Sequence, residues 1–391
     1  MKKLFNLENF IFITIIFLPL YLVKVVILGV PSNLFELIVV FAILAFAMAS
    51  VGSKIELQDY KKYFIPIVLI ISGLLISTIY NDAYRVGFGI IKSWFVVPII
   101  FAFVAVKTLG KAKKETVLNV IYLSALGVAC VSLAYFFLGL VTFDGRLQAF
   151  FNSPNYLAMF LTPAIVIGVA KLAENKKLYG TSLLIMLISL YLTFSYAAWL
   201  ALFSSLVILF LKKEVETRHG LVSTKISKKL FWVAFFGLSI IFLQIGSDKM
   251  QNLTHVDSRS SLASRAMIWR SAGKMIADNP IVGIGPGNFQ NKYLAYQQYF
   301  PPYLEWAVPQ PHNIFLAFWL QAGILGLVGF IYLMSVWFID VFRKKDDVSI
   351  VCMAIMTGII IHGLFDTTYF KNDLAVIFWL IFFLGIKNRN S

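Results

Sequence analysis

The chain has 391 residues, of which 60% are hydrophobic and only 14% are charged, and its formal net charge is +15. Soluble domains are closer to half apolar and a quarter charged, so the composition excludes an ordinary soluble protein and indicates an integral membrane protein. A role in binding nucleic acid is excluded as well, because it would need a soluble basic domain and the sequence contains none.

Apolar runs of about 17–25 residues recur along the chain and predict transmembrane helices, so the predicted fold class is all-α. About twelve spans are predicted, at residues 8–28, 34–51, 63–80, 87–106, 116–140, 156–173, 178–193, 196–211, 229–245, 312–341, 348–365 and 374–386. The run 178–211 is too long for one crossing of a core of about 30 Å, which predicts a break at Phe194 and Ser195. One tilted helix is the alternative.

The distribution of lysine and arginine sets the topology. With twelve spans and the N-terminus inside, most of the 34 Lys and Arg residues fall in cytoplasmic segments, as the positive-inside rule requires. No small-residue cleavage site follows the first span, which is therefore expected to be retained. Residues 1–391 are predicted to form a single integral membrane domain. Residues 246–311 are predicted to form a large extracytoplasmic loop with amphipathic helices, inserted between the ninth and tenth spans.

The cysteines indicate neither a disulfide framework nor a metal site. Cys130 and Cys352 both lie within apolar spans and are expected to be buried thiols.

The outer segment between the fifth and sixth spans contains the first candidate site residue. Asn152, Ser153, Pro154 and Asn155 form a turn that is predicted to open a helix, with Pro154 near its first position. Arg146 lies among aromatic residues and could be held at the interface. An ordinary turn with a snorkelling arginine is the alternative.

The second outer segment, residues 258–278, predicts an amphipathic helix. Its apolar positions recur at steps of three and four residues, at Leu262, Ala266, Trp269, Gly273 and Ile276. Arg265, Trp269 and Ala272 share one face. A helix lying on anionic lipid headgroups would also explain the charge.

Residues 279–289 follow as a run rich in glycine and proline that predicts a compact turn. The run lacks the Lys-Ser/Thr of a nucleotide-binding P-loop and no strand precedes it, so no nucleotide site is expected. The turn is expected to fix how the preceding helix meets the bundle.

His312 begins the tenth span at the outer interface, where a neutral imidazole can accept a proton. An interfacial histidine that hydrogen-bonds the loop is the alternative. His362 and Asp366 are four residues apart and are expected to share a helix face. That pair could be functional, structural, or a counter-charge for an arginine.

The order of these motifs resembles a known family. Gly-Arg with Asn-Ser-Pro-Asn is followed by Ser-Arg and Trp, by Asp-Asn-Pro-Ile-Val-Gly-Ile-Gly-Pro-Gly-Asn-Phe, by Pro-His-Asn and by Gly-Ile-Leu-Gly. The sequence from Arg146 to Asp366 resembles the O-antigen ligase and O-antigen polymerase superfamily of bacterial membrane glycosyltransferases. The first five spans match it only as hydrophobic helices.

The resemblance implies about twelve helices with a periplasmic loop over an outward cavity, in a multi-pass protein of the bacterial cytoplasmic (inner) membrane. It implies inverting transfer of a glycan from an undecaprenyl-diphosphate-linked donor to a glycan, lipid or protein acceptor hydroxyl on the extracytoplasmic side, as in lipopolysaccharide biosynthesis. No metal or other cofactor is implied. Partners are the donor, the acceptor and membrane lipids, with no nucleic acid.

The resemblance also assigns roles to residues. Arg146 and Arg265 match the arginines that hold the donor diphosphate, and His312 matches the proposed general base. Supporting candidates are Asn155, Trp269, Arg270, Asn313 and Asp366.

One motif departs from the family. Many members have Ser-Arg-Gly before the eighth span, whereas this chain has Ser195, Tyr196 and Ala197, so an arginine is absent and the donor could differ. Pro-His-Asn and the Asp-Asn-Pro turn match ligases more easily, and a polymerase that joins lipid-linked repeat units is the alternative. Outside the class, a lipid or polysaccharide transporter would also be polytopic. Transporters, however, often carry charges at mid-membrane in two matching halves.

Overall fold

The computed structural model describes residues 6–27, 30–51, 57–216, 261–300 and 308–386. These residues are mostly helical, which confirms the predicted helical class. In chain order the helices are α1 (Leu7–Ile16), α2 (Leu34–Ala49), α3 (Lys61–Tyr80), α4 (Tyr84–Ile90), α5 (Val97–Leu109), α6 (Lys114–Phe137), α7 (Pro154–Lys171), α8 (Lys176–Leu192), α9 (Tyr196–Glu216), α10 (Ser261–Asp278), α11 (Phe289–Tyr296), α12 (Ile314–Phe342), α13 (Asp347–Gly363) and α14 (Asn372–Gly385).

The helices are long and apolar enough for a membrane protein. By length and composition, 5 described helices could cross a membrane: Gln58–Tyr80, Tyr84–Leu109, Lys114–Phe137, Pro154–Lys171 and Ile314–Phe342. Shorter apolar helices include α2, α13 and α14. The count of about twelve spans stays a prediction. The predicted span 229–245, and residues 246–260 and 301–307 of the predicted loop, lie outside the described residues.

The outer surface of the bundle is apolar. Exposed side chains include Ile76, Leu123 and Val131, as expected where lipid rather than water covers the helices. Cys352 is buried as predicted, but Cys130 is exposed on α6, so that prediction was wrong for one cysteine. A residue inside an apolar span can face lipid instead of the protein interior. Sequence alone does not separate the two cases, because lipid-facing positions are equally apolar.

The first predicted span, residues 8–28, was wrong as a single helix. Helix α1 ends at Ile16, and a 3-10 helix with Pro19 in its first turn follows at Leu18–Leu22, because proline has no N–H to continue α-helical bonding. The chain then forms an antiparallel hairpin of β1 (Lys24–Ile27) and β2 (Val30–Asn33), in which Lys24 pairs with Asn33. The β-branched residues of this segment favour strands, and they make the hairpin an exception to the predicted all-α class.

The predicted break near Phe194 is confirmed. Helix α8 ends at Leu192, α9 begins at Tyr196, and Phe194 has a positive φ of 49° that neither helix could accommodate.

The segments that connect the helices form contacts at two opposite ends of the bundle. At one end, Lys62 pairs with Asp340 at 2.7 Å, and Lys114 donates to the carbonyl of Ile386 at 2.9 Å. Lys62 and Lys114 are among the lysines that the positive-inside rule assigns to cytoplasmic segments. The segments predicted to lie outside meet at the other end, where Asn81 Nδ2 donates to the carbonyl of Gly283 at 3.4 Å.

Close packing of small residues joins α3 to α12. A Cβ atom on Gly73 would lie 2.3 Å from the Ala322 carbonyl, and one on Gly329 would lie 2.9 Å from the Pro66 carbonyl. Glycine at these positions lets the two backbones approach, as small residues do between membrane helices.

Helix α12 is kinked at Gly323, where φ is 63° and ψ is −167°. The kink frees backbone groups that the turn at residues 279–288 then uses. Ile284 N donates to the Leu320 carbonyl at 2.8 Å, and Ile324 N donates to the Ile281 carbonyl at 3.0 Å. The glycine- and proline-rich turn therefore docks on the kink, which confirms the prediction that it fixes how α10 meets the bundle.

Substituting Gly323→Ala is expected to destabilise the protein by at least about 2 kcal/mol, because the added Cβ would need a left-handed backbone and overpack the docked turn. That Cβ would lie 2.1 Å from the Ile281 carbonyl. Gly127→Ala on α6 is the matched control, since a Cβ there meets nothing within 4 Å. Thermal unfolding of both variants in detergent measures the effect, and equal unfolding temperatures would contradict it.

Candidate active site

The segment before α7 places Arg146 against the break between α8 and α9. Ser153 caps α7, with its Oγ accepting from Asn155 N at 3.2 Å, and Pro154 begins the helix, as predicted. Arg146 Nε donates to the Thr193 carbonyl at 2.8 Å, and its Nη2 donates to Asn155 Oδ1 at 2.9 Å. Only 16% of the Arg146 side chain is exposed. The guanidinium is thus held inward, which does not fit a snorkelling arginine.

The electrostatic surroundings of Arg146 are mixed. Burial lowers the pKa of its guanidinium, the Asp144 carboxylate opposes this, and the positive charge of Arg265 lowers the pKa further. The two guanidinium groups therefore lie close enough to repel each other. Tyr196 also interacts electrostatically with Arg146.

Helix α10 brings Arg265 and Trp269 to the same place. Arg265 Nε donates to the Phe365 carbonyl at 2.9 Å. The Trp269 ring lies 6.4 Å from the Phe365 ring, centroid to centroid, and its Nε1 donates to the His312 carbonyl at 3.3 Å. Arg270 lies on the exposed side of this helix. Of the two arginines on this helix, Arg265 contacts the segment that contains Phe365, and Arg270 does not.

The helix is amphipathic as predicted, and Trp269 and Ile276 of the predicted apolar face are half-buried and buried, but its other three positions were assigned wrongly. Leu262, Ala266 and Gly273 are exposed, whereas the buried face contains Ile268, Ala272, Met275 and Ile276. Both the exposed set and the buried set recur with helical spacing. The second set is the buried one because it packs against α11 and α12.

His312 lies just before α12 rather than within it. Asn313 caps the helix, with its Oδ1 accepting from Phe315 N at 2.9 Å and Leu316 N at 3.0 Å. Its Nδ2 donates to the Leu364 carbonyl at 3.0 Å. His312 has a positive φ of 47°, an uncommon conformation for a residue with a side chain, and such strain often occurs at functional sites.

Asp366 is the partner of His312. The His312 Nδ1 atom lies 3.0 Å from Asp366 Oδ1, and the two side chains are 31% and 3% exposed. Asp366 Oδ1 also accepts from Thr367 N at 2.9 Å, and its Oδ2 accepts from Asn155 Nδ2 at 2.8 Å. Burial opposes ionisation, but His312, Arg265 and His362 together outweigh it and hold the pKa of Asp366 well below its usual range.

The tautomer of neutral His312 follows from this contact. An ionised carboxylate can only accept hydrogen bonds, so Nδ1 carries a proton, and in the neutral imidazole Nε2 then keeps its lone pair. Within the described part of the chain, no hydrogen-bond partner occupies Nε2. The imidazole therefore has one nitrogen anchored and the other available.

The prediction that His362 and Asp366 share a helix face was wrong, although the two side chains interact electrostatically. Helix α13 ends at Gly363, so Asp366 lies beyond it and turns toward His312. His362 is buried at 2% exposure, and its Nε2 has no hydrogen-bond partner among the described residues. The predicted end of this span, residue 365, lies two residues beyond the observed helix end at Gly363.

The turn formed by Leu364, Phe365 and Asp366 thus connects the site. Its carbonyls bind Asn313 and Arg265, and its carboxylate binds His312 and Asn155, which in turn binds Arg146. We refer to Arg146, Asn155, Arg265, His312 and Asp366 as the Arg–His cluster. It combines two guanidinium groups with a carboxylate-anchored imidazole, a set that can hold an anion and accept a proton beside it.

Sequence reasoning missed how this set is tied together. Asp366 was named only as a supporting candidate, and the Thr193 and Phe365 carbonyls that orient the guanidinium groups were not foreseen. Backbone acceptors leave no trace in side-chain patterns. The break at Phe194 was the available signal, because a helix end exposes unsatisfied carbonyls.

A helical bundle with an apolar surface and a cationic polar cluster at one end defines a multi-pass membrane protein. A family model described as O-antigen ligase matches residues 181–331, a stretch that includes Arg265 and His312. The match confirms the predicted resemblance to the O-antigen ligase superfamily. It supports a glycosyltransferase-like enzyme of polysaccharide biosynthesis. No curated protein matches the chain.

Proposed function

We propose that this protein transfers a glycan from an undecaprenyl-diphosphate-linked donor to an acceptor hydroxyl, at the outer side of the bacterial cytoplasmic membrane. The observation that carries the proposal is the meeting of Arg146, Arg265 and the His312–Asp366 pair around one turn. These residues come from separate parts of the chain, and their chemistry suits a diphosphate leaving group next to a base.

Arg146 and Arg265 hold the donor diphosphate. Their side chains are oriented by the Thr193 and Phe365 carbonyls through Nε, and a guanidinium group has the fork geometry that matches two phosphate oxygens. The mutual repulsion of the two cations is relieved when an anion binds between them. Because negative charge grows on the diphosphate as the bond to the sugar breaks, these contacts strengthen in the transition state.

His312 acts as the general base. The acceptor oxygen attacks sugar C1, the bond from C1 to the diphosphate oxygen breaks, and the acceptor proton passes to Nε2 of His312. Asp366 stabilises the imidazolium that forms. Attack opposite the leaving group in one displacement inverts the configuration at C1.

Asn155, Trp269 and Asn313 act as positioning residues. Asn155 bridges Arg146 to Asp366, Trp269 holds the His312 carbonyl, and Asn313 ties the start of α12 to the turn at Leu364. Residues 246–311 are proposed to lie on the outer side, so that Arg265 reaches the site from above the bundle.

Purified protein incubated with a lipid-linked oligosaccharide tests the function. A single mass shift of an added acceptor identifies a ligase, and ladders of longer products without an added acceptor identify a polymerase. Translocation of the lipid-linked glycan across proteoliposomes without any transfer product would overturn the proposal in favour of a transporter.

Transfer is expected to continue in EDTA, because the guanidinium groups supply the positive charge that the leaving group needs. The rate with EDTA should stay within about twofold of the untreated rate, since the proposed transition-state contacts involve only side chains. Adding back Mg²⁺ or Mn²⁺ is the control. Loss of transfer in EDTA that is restored by either ion would contradict this part of the proposal.

A further inference from the structure

A groove of about 940 Å³ opens beside the Arg–His cluster, and nothing above assigns it a ligand. It lies between the β1–β2 hairpin, the start of α4 with the π-helical turn that follows, and the segments that precede α7 and α14. Its size is near the upper end for ligand sites, so it suits a molecule of several rings rather than an ion.

The lining of the groove is cationic. Lys24, Arg85 and Lys371 line it together with neutral residues, and no aspartate or glutamate is among its described lining residues. Lys24 and Arg85 are exposed, and neither pairs with a carboxylate within the described ranges. Unpaired cations around a concave surface favour an anionic ligand.

The remaining lining fits a carbohydrate. The rings of Tyr21, Trp94 and Phe150 offer flat apolar surfaces, while Asn152 and Ser93 supply groups that hydrogen-bond hydroxyls. Aromatic faces beside amides and hydroxyls match a sugar ring, which has apolar C–H faces and a polar edge.

Lys371 connects the groove to the Arg–His cluster. Its Nζ lies 3.4 Å from the centre of the Tyr156 ring and 3.4 Å from the Tyr21 hydroxyl. Burial lowers the pKa of Lys371 to about 8, and the negative charges of Asp373 and Asp366 oppose this shift. Lys371 therefore interacts electrostatically with Asp366 of the Arg–His cluster. Tyr156 follows Asn155 directly in the chain. The inner end of the groove is therefore adjacent to the cluster.

We infer that this groove binds the second substrate of the reaction, an acidic glycan that carries carboxylate or phosphate groups and presents the acceptor hydroxyl. This inference rests on the proposed function for the role of acceptor. The cations of the groove are distinct from Arg146 and Arg265, which the donor diphosphate occupies, so both substrates can be bound at once.

Binding of a labelled oligogalacturonate hexamer to the full-length protein in phosphatidylcholine nanodiscs tests the inference by fluorescence anisotropy. The hexamer is expected to bind at least about tenfold more tightly than neutral maltohexaose, since each groove charge contributes a charge-assisted contact. The double variant Lys24→Gln/Arg85→Gln should lose about tenfold or more in affinity. Lys176→Gln/Lys292→Gln removes the same charge from exposed positions outside the groove and should bind as the wild type does.

Equal binding of the two sugars, an unchanged affinity in the groove variant or an equal loss in the control variant would each overturn the inference. Excess undecaprenyl diphosphate should leave the hexamer bound, and displacement by it would assign the groove to the donor instead. Nanodiscs containing phosphatidylglycerol should not compete. If they do, the groove holds lipid headgroups and the inference fails. His312→Ala should still bind the hexamer, so absence of transfer and absence of this site are separate results.

Discussion

His312→Ala is expected to lower the rate of glycan transfer by about 10²- to 10⁴-fold, the range found when a general base is removed. The reason is that Nε2 is the nitrogen left available once Nδ1 is bound to Asp366. Single-turnover transfer with purified protein and saturating donor measures the rate. Added imidazole should restore part of it, which a merely structural role for the side chain would not allow.

Asp366→Asn provides the second half of this test. The amide keeps the shape of the side chain but not the charge that stabilises the imidazolium, so the rate should fall by about 10²-fold or more. Binding of undecaprenyl diphosphate should stay close to wild type. His362→Gln is the matched control, since His362 makes no side-chain hydrogen bond to the cluster, and its transfer rate should stay within a few-fold of wild type. A wild-type rate of transfer by the His312→Ala variant would show that His312 is not the general base.

Arg265→Ala is expected to weaken binding of undecaprenyl diphosphate and to reduce transfer by about 10²- to 10³-fold, as loss of a transition-state donor does. Arg146→Ala should behave similarly, because both guanidinium groups are proposed to hold the same diphosphate. Lysine at either position keeps the charge but cannot fork onto two oxygens, so Arg265→Lys should recover only part of the rate.

Arg270→Ala is the matched control for this prediction, since it removes the same side chain from the exposed side of the same helix. Protein level and unfolding temperature in detergent should be compared for all the variants, because Arg265 also holds the Phe365 carbonyl. Arg265→Ala protein that is folded and still binds and transfers at the wild-type rate would contradict the role of the arginines.

Local sequence rules predicted much of the scaffold. Apolar length and the proline and glycine positions gave the helices, the break at Phe194 and the docking turn. They failed where two local patterns were equally good. Pro19 ended a helix inside an apolar run that looked continuous, and α10 carries two apolar stripes of the same period, so that tertiary packing decided between them.

The candidate site was predicted less completely than the scaffold. Motif order singled out Arg146, Arg265 and His312, but spacing could not place them together, because they are separated by more than a hundred residues or by segments of irregular structure. Asp366 was matched with its sequence neighbour His362 rather than with His312. The helix ends at Gly363, so the side chain of Asp366 follows the turn toward His312 rather than the helix face, and helix ends are difficult to fix to within one or two residues.

The docking of the 279–288 turn on the kink at Gly323 has a mechanical consequence. Two backbone hydrogen bonds fasten the end of α10 to α12, so the helix that carries Arg265 and the helix that His312 precedes are coupled at a shared hinge. We therefore expect Arg265 and His312 to keep their separation when a ligand displaces this end of α12.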